Sequence, residues 1–300
     1  MKKFIVTTTI NSPTEATIKF SQMKDWTLIV VGDLKTPHDE YEKINCIYLT
    51  PEYQEQQYKE LSDSIGWRCI QRRNIGFVEA YRRGADIVAT VDDDNIPYDD
   101  WGTNLLVGKK VKVDCYKAKN GVFDPLSVTN ISHLWHRGYP VELLKTKNDV
   151  EYCGKVEREV LVQADLWDGD PDVDAICRIT QSPIEKITVT EPFCSVNTGP
   201  FNSQNTFIHR KVLPYYMVLP YTGRMDDIWA AYIIQHEFPE SVVFCPPTVY
   251  QERNEHDLVK DLEGEIIGYR NTIKFAQGIF DLPEKTSKSY EIYKNTFEEL

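Results

Sequence analysis

The sequence predicts an α/β fold with a mostly parallel central sheet and helices on both faces, and three observations carry that prediction. Short apolar, β-branched runs alternate with helix-prone segments through the first third of the chain. Carboxylates follow directly on two of those runs, Asp33 on one and Asp92, Asp93 and Asp94 on another. The length of 300 residues suits one large domain with a sizeable core.

The first strand is expected at 4–10, where a short apolar run gives way to Thr7, Thr8 and Thr9. The run is too short and too polar for a signal sequence or a membrane span. Ser12-Pro13-Thr14-Glu15 follows as a helix start, with Ser12 as the cap and Pro13 in the first turn. Further strands are expected at 26–31, closed by Gly32-Asp33, and at 45–49. Residues 51–62 read as a polar helix. Residues 75–83 read as a helix carrying Phe77, Ala80 and Tyr81 on one face, stopped by Gly84. The run 87–91 is the next strand, and Asn95-Ile96-Pro97 ends it. Beyond about residue 110 the pattern is irregular. A strong amphipathic helix returns at 225–236, a last strand at 242–244 and a charged helical tail beyond 282. There is no internal repeat or clear linker. The chain reads as a single domain, 1–300, with a regularly alternating half to about residue 110 and an irregular half from about 111 to 300.

The formal charge of -12 disfavours nucleic acid or an anionic membrane as a partner. Seven scattered cysteines without a CxxC pair favour reduced thiols over a disulfide framework or a zinc site. Cysteine usage and the absence of targeting signals give a cytoplasmic expectation.

Chemistry concentrates at the strand ends. In a parallel sheet, ligands bind outside the carboxyl ends of the strands. A period of two lets Asp92 and Asp94 face one way and Asp93 another. A hard divalent cation takes one or two carboxylates plus substrate phosphates, so the triplet is either a metal–nucleotide site or an acidic turn. Arg72, Arg73 and Asn74 precede a helix, where guanidinium groups and free N–H groups attract phosphate; plain capping by Asn74 is the alternative. Asp33 can accept from a ribose hydroxyl or a base N–H, or merely close a turn. Asp226 and Asp227 open the later helix either as caps or as a general base. Asp170, Asp172 and Asp174 form either a second metal site or an acidic loop that caps a helix. His256 is a candidate metal ligand or a surface histidine. His133, Trp135 and His136 form a sugar-stacking wall or a packed corner.

Several stretches together resemble a known family: Val30-Val31-Gly32-Asp33-Leu34-Lys35-Thr36-Pro37, Arg73-Asn74-Ile75-Gly76, Asp92-Asp93-Asp94-Asn95, Gly169-Asp170-Pro171-Asp172-Val173-Asp174-Ala175, Pro200-Phe201-Asn202-Ser203-Gln204-Asn205-Thr206 and Asp226-Asp227-Ile228-Trp229. In this colinear order the chain resembles STELLO-like glycosyltransferases of the GT-A fold. It is more distantly similar to the plant reversibly glycosylated polypeptides, which act as UDP-arabinopyranose mutases. The resemblance implies a Rossmann-like GT-A sheet, a UDP-sugar donor, a glycan or glycoconjugate acceptor and Mn2+ or Mg2+, with the part to about residue 110 as the nucleotide-sugar-binding half and the part from about 111 to 300 as the acceptor-side half. It implies Asp94 as direct metal ligand, with Asp92 near the ribose or a metal-bound water. Thr8, Thr9, Asp33 and Arg73 would line the nucleotide, with Arg72, Asn74 and Asp93 nearby. Asp227 would be the base of an inverting transfer, with Asp226 as the fallback. Trp135, His136, Asn202 and Gln204 are the acceptor-side candidates. The Golgi location of STELLO proteins does not carry over. The rival readings are a UDP-sugar mutase and a non-catalytic scaffold on the same fold.

Overall fold

The computed structural model describes every residue except 182 and 253–256. The first four long elements fall where apolar runs and turn residues put them: β1 (Lys3–Thr9), α1 (Glu15–Ser21), β2 (Thr27–Gly32) and, after a one-turn helix α2 (His38–Tyr41), the short β3 (Ile47–Leu49). Thr14, not Ser12, caps α1 by accepting from the Thr17 N–H at 3.1 Å. The expected 51–62 helix is two helices, α3 (Pro51–Gln57) and α4 (Lys59–Ile65), because Tyr58 leaves helical geometry at φ -136° and ψ 39°. A single 3-10 turn at Ile70–Arg72 leads into α5 (Arg73–Arg82), and β4 (Ile87–Val91) has the expected bounds.

The irregular middle of the sequence is more ordered than its pattern suggests. It contains β5 (Asn95–Pro97), β6 (Lys110–Ala118), β7 (Val150–Glu159), β8 (Val162–Gly169), α6 (Ala175–Thr180), β9 (Phe193–Ser195) and β10 (Asn205–His209). The chain continues through α7 (Asp226–Glu237), β11 (Val242–Gln251), α8 (Leu258–Ala276) and α9 (Glu284–Glu298). Two expectations change here. α5 and α7 are not amphipathic, since residues 73–80 and 226–235 are buried on every side. The last strand runs on past Phe244 because a register shift between Cys245 and Val249 absorbs the two prolines.

One eleven-stranded sheet runs in the order β3-β2-β1-β4-β10-β8-β11-β9-β6-β7, with β5 against β11. Pairing is parallel among β3, β2, β1 and β4, and mixed beyond them. Because β10 is antiparallel to both β4 and β8, and β8 is parallel to β11, β8 and β11 point the same way as the parallel strands β1 to β4; five of these, β1, β2, β4, β8 and β11, end at polar residues. Their carboxyl ends present Thr9, Asp33, Asp92, Asp170 and Gln251 along one edge.

Helices cover both faces. α5 lies on the face carrying Val6 and Val31, so closely that a Cβ on Gly76 would come within 2.5 Å of Val6 Cγ1 and 2.8 Å of Val31 Cγ2. The opposite face carries Phe207, which meets Trp101 at 5.0 Å between ring centroids, and Trp101 in turn meets Phe20 of α1 at 5.0 Å. Burial of these large rings supplies much of the core's driving force.

Candidate active site

Two adjoining cavities open at the carboxyl edge of the sheet, and both are lined by Cys69 and Ile70. The smaller, about 240 Å³, is bordered by Thr8, Thr9, Asn11, Asp33, Arg68 and Asp93. The larger, about 410 Å³, is bordered on its acidic side by Asp92, Asp94, Asp172, Asp226 and Asp227. The aspartate triplet thus divides between them, with Asp93 in one and Asp92 and Asp94 in the other.

The smaller cavity is held rigid by its own hydrogen bonds. Asp33 accepts from the Leu34 N–H at 2.6 Å and the Cys69 N–H at 3.1 Å, which ties the end of β2 to the loop before α5. Asp93 accepts from the Thr9 hydroxyl at 2.5 Å and from Asn11 Nδ2 at 3.0 Å. The Thr8 hydroxyl donates to the Val31 carbonyl at 2.8 Å.

Arg73, behind the lining, is the first of two buried cations at the larger cavity. Only 1 % exposed, it donates to Asp92 Oδ1 at 2.5 Å and to the Ser203 carbonyl and hydroxyl at 2.9 and 2.8 Å. Its neighbours in sequence do other work. Arg72 is wholly buried, bonded to Gln54, Ser62 and Gly66, and stacked on Trp67 at 3.6 Å. Asn74 lies inside α5, not at its cap, and makes two 2.8 Å bonds to the Val218 backbone. Neither side chain lines either cavity.

The second cation is Arg137, which the sequence pattern did not single out. Its Nε donates to Asp172 at 2.8 Å, its Nη2 to Asp227 Oδ1 at 3.1 Å and its Nη1 to the Arg224 carbonyl. Burial opposes its charge, but Asp172 and Asp227 more than offset this, so the guanidinium stays protonated. No local signal could mark it, because its partners lie 35 and 90 residues away. Arg224 in turn is fixed by Asp261 and Glu265 of α8, each at 2.9 Å. Gly223, at φ +61°, packs where a Cβ would sit 2.2 Å from the Gly264 carbonyl oxygen, so the turn opening α7 is seated on α8.

The two aspartates of that turn are in opposite electrostatic states. Burial disfavours the charged form of Asp227, but Arg137 and the Ser203 N–H and hydroxyl, at 2.8 and 3.0 Å, hold its carboxyl below the usual carboxylate range. Burial, and then the charge of Asp227, push the carboxyl of Asp226 up to about 7. Asp226 accepts from Gln71 Nε2 at 2.7 Å and from the Asp227 N–H at 3.0 Å.

The remaining candidates separate. Gln204 lines the larger cavity, and Asn202 stands behind it, bonded to Gln204 at 3.1 Å and to Asp172 at 2.8 Å. Trp135 and His136 form a packed corner away from the lining. His136 is 1 % exposed, edge-on to Trp167, and Trp135 Nε1 donates to Asp174 at 2.6 Å. Of the three acidic loop residues, Asp174 caps α6, Asp172 holds Arg137 and Asp170 pairs with Arg178 at 2.5 Å. His256 lies outside the described residues. Among the described residues, no three or more His, Cys, Asp or Glu side chains are gathered as a ready-made metal cage.

No family model matches the chain. Two curated plant proteins from Arabidopsis thaliana are similar to it. Probable glycosyltransferase STELLO2 is 26% identical over 94% of this chain and 41% of its own length. Probable glycosyltransferase STELLO1 is 25% identical over 83% of this chain and 35% of its own length. The resemblance carried by the motifs therefore extends over most of the chain, while the chain spans about two fifths or less of these relatives. Among solved structures, glucosyl-3-phosphoglycerate synthase from Mycobacterium tuberculosis with phosphoglyceric acid superposes with a TM-score of 0.48 at 12% identity, over 93% of this chain and 81% of that one. The same enzyme with Mn2+ and UDP-glucose gives 0.46 at 13% identity, over 93% and 80%.

Proposed function

We propose that this protein is a metal-dependent glycosyltransferase that moves a sugar from a UDP-sugar to an acceptor hydroxyl. The observation that carries the reading is the pair of joined cavities at the strand ends: one polar and pre-formed, the other holding Asp92 and Asp94 opposite a carboxyl that titrates near neutrality. The similarity to probable glycosyltransferases supports it.

In this reading the nucleoside occupies the smaller cavity, against Thr8, Thr9 and Asp33, and the diphosphate crosses toward Asp92 and Asp94. Two carboxylates facing one cavity fit a hard cation that arrives with phosphate oxygens, which is how Mg2+ or Mn2+ is usually held. Asp94 and the Asp92 oxygen not engaged by Arg73 would hold it. When bound, such a cation neutralises charge on the departing diphosphate. Arg73 fixes the Asp92 carboxylate in place.

Asp226 takes the role of general base in preference to Asp227. A base works best when its pKa lies near the operating pH. Asp226 meets that condition, whereas Asp227 is already committed to Arg137 and Ser203. Asp226 accepts the acceptor hydroxyl's proton as that oxygen bonds to the anomeric carbon and the bond to the diphosphate breaks. Attack from the side opposite the leaving group inverts the anomeric centre.

The test is UDP release from a panel of UDP-sugars with Mn2+, with and without acceptor hydroxyl compounds. Release expected from at least one donor should fall about 10²–10⁴-fold in Asp226→Asn, the usual contribution of a general base. Release from none, or full activity in Asp226→Asn with loss only in Asp227→Asn, contradicts the proposal.

A further inference from the structure

We infer that Gln251 is a specificity-determining residue for the transferred sugar, its Oε1 accepting a hydrogen bond from one hydroxyl of the donor's sugar ring. The inference rests on the proposed function and assigns its sugar selectivity to a side chain.

The first support is an unfilled acceptor. Gln251 lines the larger cavity and is 2 % exposed, and its Oε1 is buried with no hydrogen-bond partner among the described residues. Buried polar atoms are nearly always satisfied, so such an oxygen at a cavity wall points to a ligand group that donates to it. The donor molecule offers few such groups. Ionised phosphate oxygens carry no hydrogen to give. The nucleoside, in the proposed function, occupies the smaller cavity, which Gln251 does not line. That leaves the hydroxyls of the transferred sugar, each of which has a hydrogen to donate.

The second support is position. Gln251 ends β11 between two strands, in register with Asn95 of β5 on one side and Gly169 of β8 on the other. The next residue, Glu252, donates its N–H to the Asp94 carbonyl at 3.1 Å, and the Asp170 N–H donates to the Gln251 carbonyl at 3.2 Å. Gly169, at φ +91°, lies so close that a Cβ there would come within 2.6 Å of the Gln251 carbonyl oxygen. The backbone of Gln251 is therefore fixed beside Asp94, the residue that the proposed function gives to the cation. A sugar linked to a diphosphate held there is the part of the donor nearest this wall. The acceptor hydroxyl is instead directed to Asp226, which is tied to Gln71 on the turn before α5. An oxygen fixed in advance selects for a hydroxyl at one ring position, because a sugar without that hydroxyl leaves it buried and unpaired.

The experiment is calorimetric titration of the whole protein, with Mn2+, by UDP, UDP-glucose, UDP-galactose, UDP-xylose and UDP-arabinopyranose. It is repeated on Gln251→Met, which keeps the length of the side chain without its carboxamide. The donor that binds tightest is then compared with its single-deoxy analogues. The expected result is UDP binding that is the same in both proteins, and donor binding weaker by about fivefold or more in the variant, the usual worth of one hydrogen bond. One deoxy analogue should bind wild type more weakly by a similar factor and lose nothing further in Gln251→Met, since the same bond cannot be lost twice. An equal loss of UDP and UDP-sugar would make Gln251 a ligand of the cation and overturns the inference. Donor binding unchanged by the substitution overturns it too, as does a wild type indifferent to every deoxy change, a comparison that does not depend on how the variant folds. Failure of UDP to bind wild type contradicts the proposed function and takes the inference with it, whereas UDP binding without this selectivity contradicts the inference alone.

Discussion

Replacing Asp226 with Asn should make the protein more stable at alkaline pH while disabling it. In the folded protein the Asp226 carboxyl titrates near 7 against an ordinary value of 3.8. Each tenfold change in proton affinity between the folded and unfolded states is worth about 1.4 kcal/mol, so holding this group ionised in the fold costs up to about 4 kcal/mol at pH 8. The sign follows from proton counts: between pH 4 and 7 the folded state keeps a proton that the unfolded state has lost, so stability falls as pH rises through that window. Asn does not titrate. It can accept from Gln71 or from the Asp227 N–H but not from both, and one lost bond costs about 1 kcal/mol. Asp226→Asn should thus be less stable than wild type by about 1 kcal/mol at pH 4 and more stable by about 3 kcal/mol at pH 8. Urea unfolding of both proteins at the two pH values measures this directly. A stability difference that does not change with pH, or one that changes the other way, refutes the assignment of a raised carboxyl at Asp226.

Other consequences follow from the same network. The acidic limb of the kcat/KM profile for UDP-sugar turnover should fall near pH 7, where Asp226 gains its proton; a limb near 4 would assign the base elsewhere. Arg137→Met strands Asp172 and Asp227 in the interior, so unfolding free energy at pH 7 should drop by about 3–5 kcal/mol, with partial recovery at low pH as the carboxyls protonate. Gly76→Ala forces a methyl group against Val6 and Val31 and should cost about 1–3 kcal/mol, read as a lower urea midpoint with an unchanged slope.

What the sequence made legible was whatever depends on local order. β4 and the acidic triplet at its end stand out because an unbroken apolar run stops abruptly at three carboxylates; Asp93 does part from Asp92 and Asp94, but it is the turn after Val91, not strand alternation, that separates them. Burial of α5 and α7 was invisible because a helix pattern read alone does not reveal a second covering layer. Arg72 and Asn74 illustrate a related limit: the composition of a phosphate-binding helix start is also that of a structural bracket, and only Gln54 and Val218, distant in the chain, distinguish them. The opposite electrostatic states of Asp226 and Asp227 turn on Arg137, 90 residues upstream of Asp227. Adjacent identical residues cannot be ranked by spacing when the charge that separates them arrives from another loop.

Calorimetric titration of UDP into the protein, with and without Mn2+ and repeated on Asp94→Ala, tests the central claim most directly. The expected result is binding that requires the cation and is weakened at least tenfold by the substitution. Binding indifferent to both the cation and Asp94, or no binding of UDP under any cation, would contradict it.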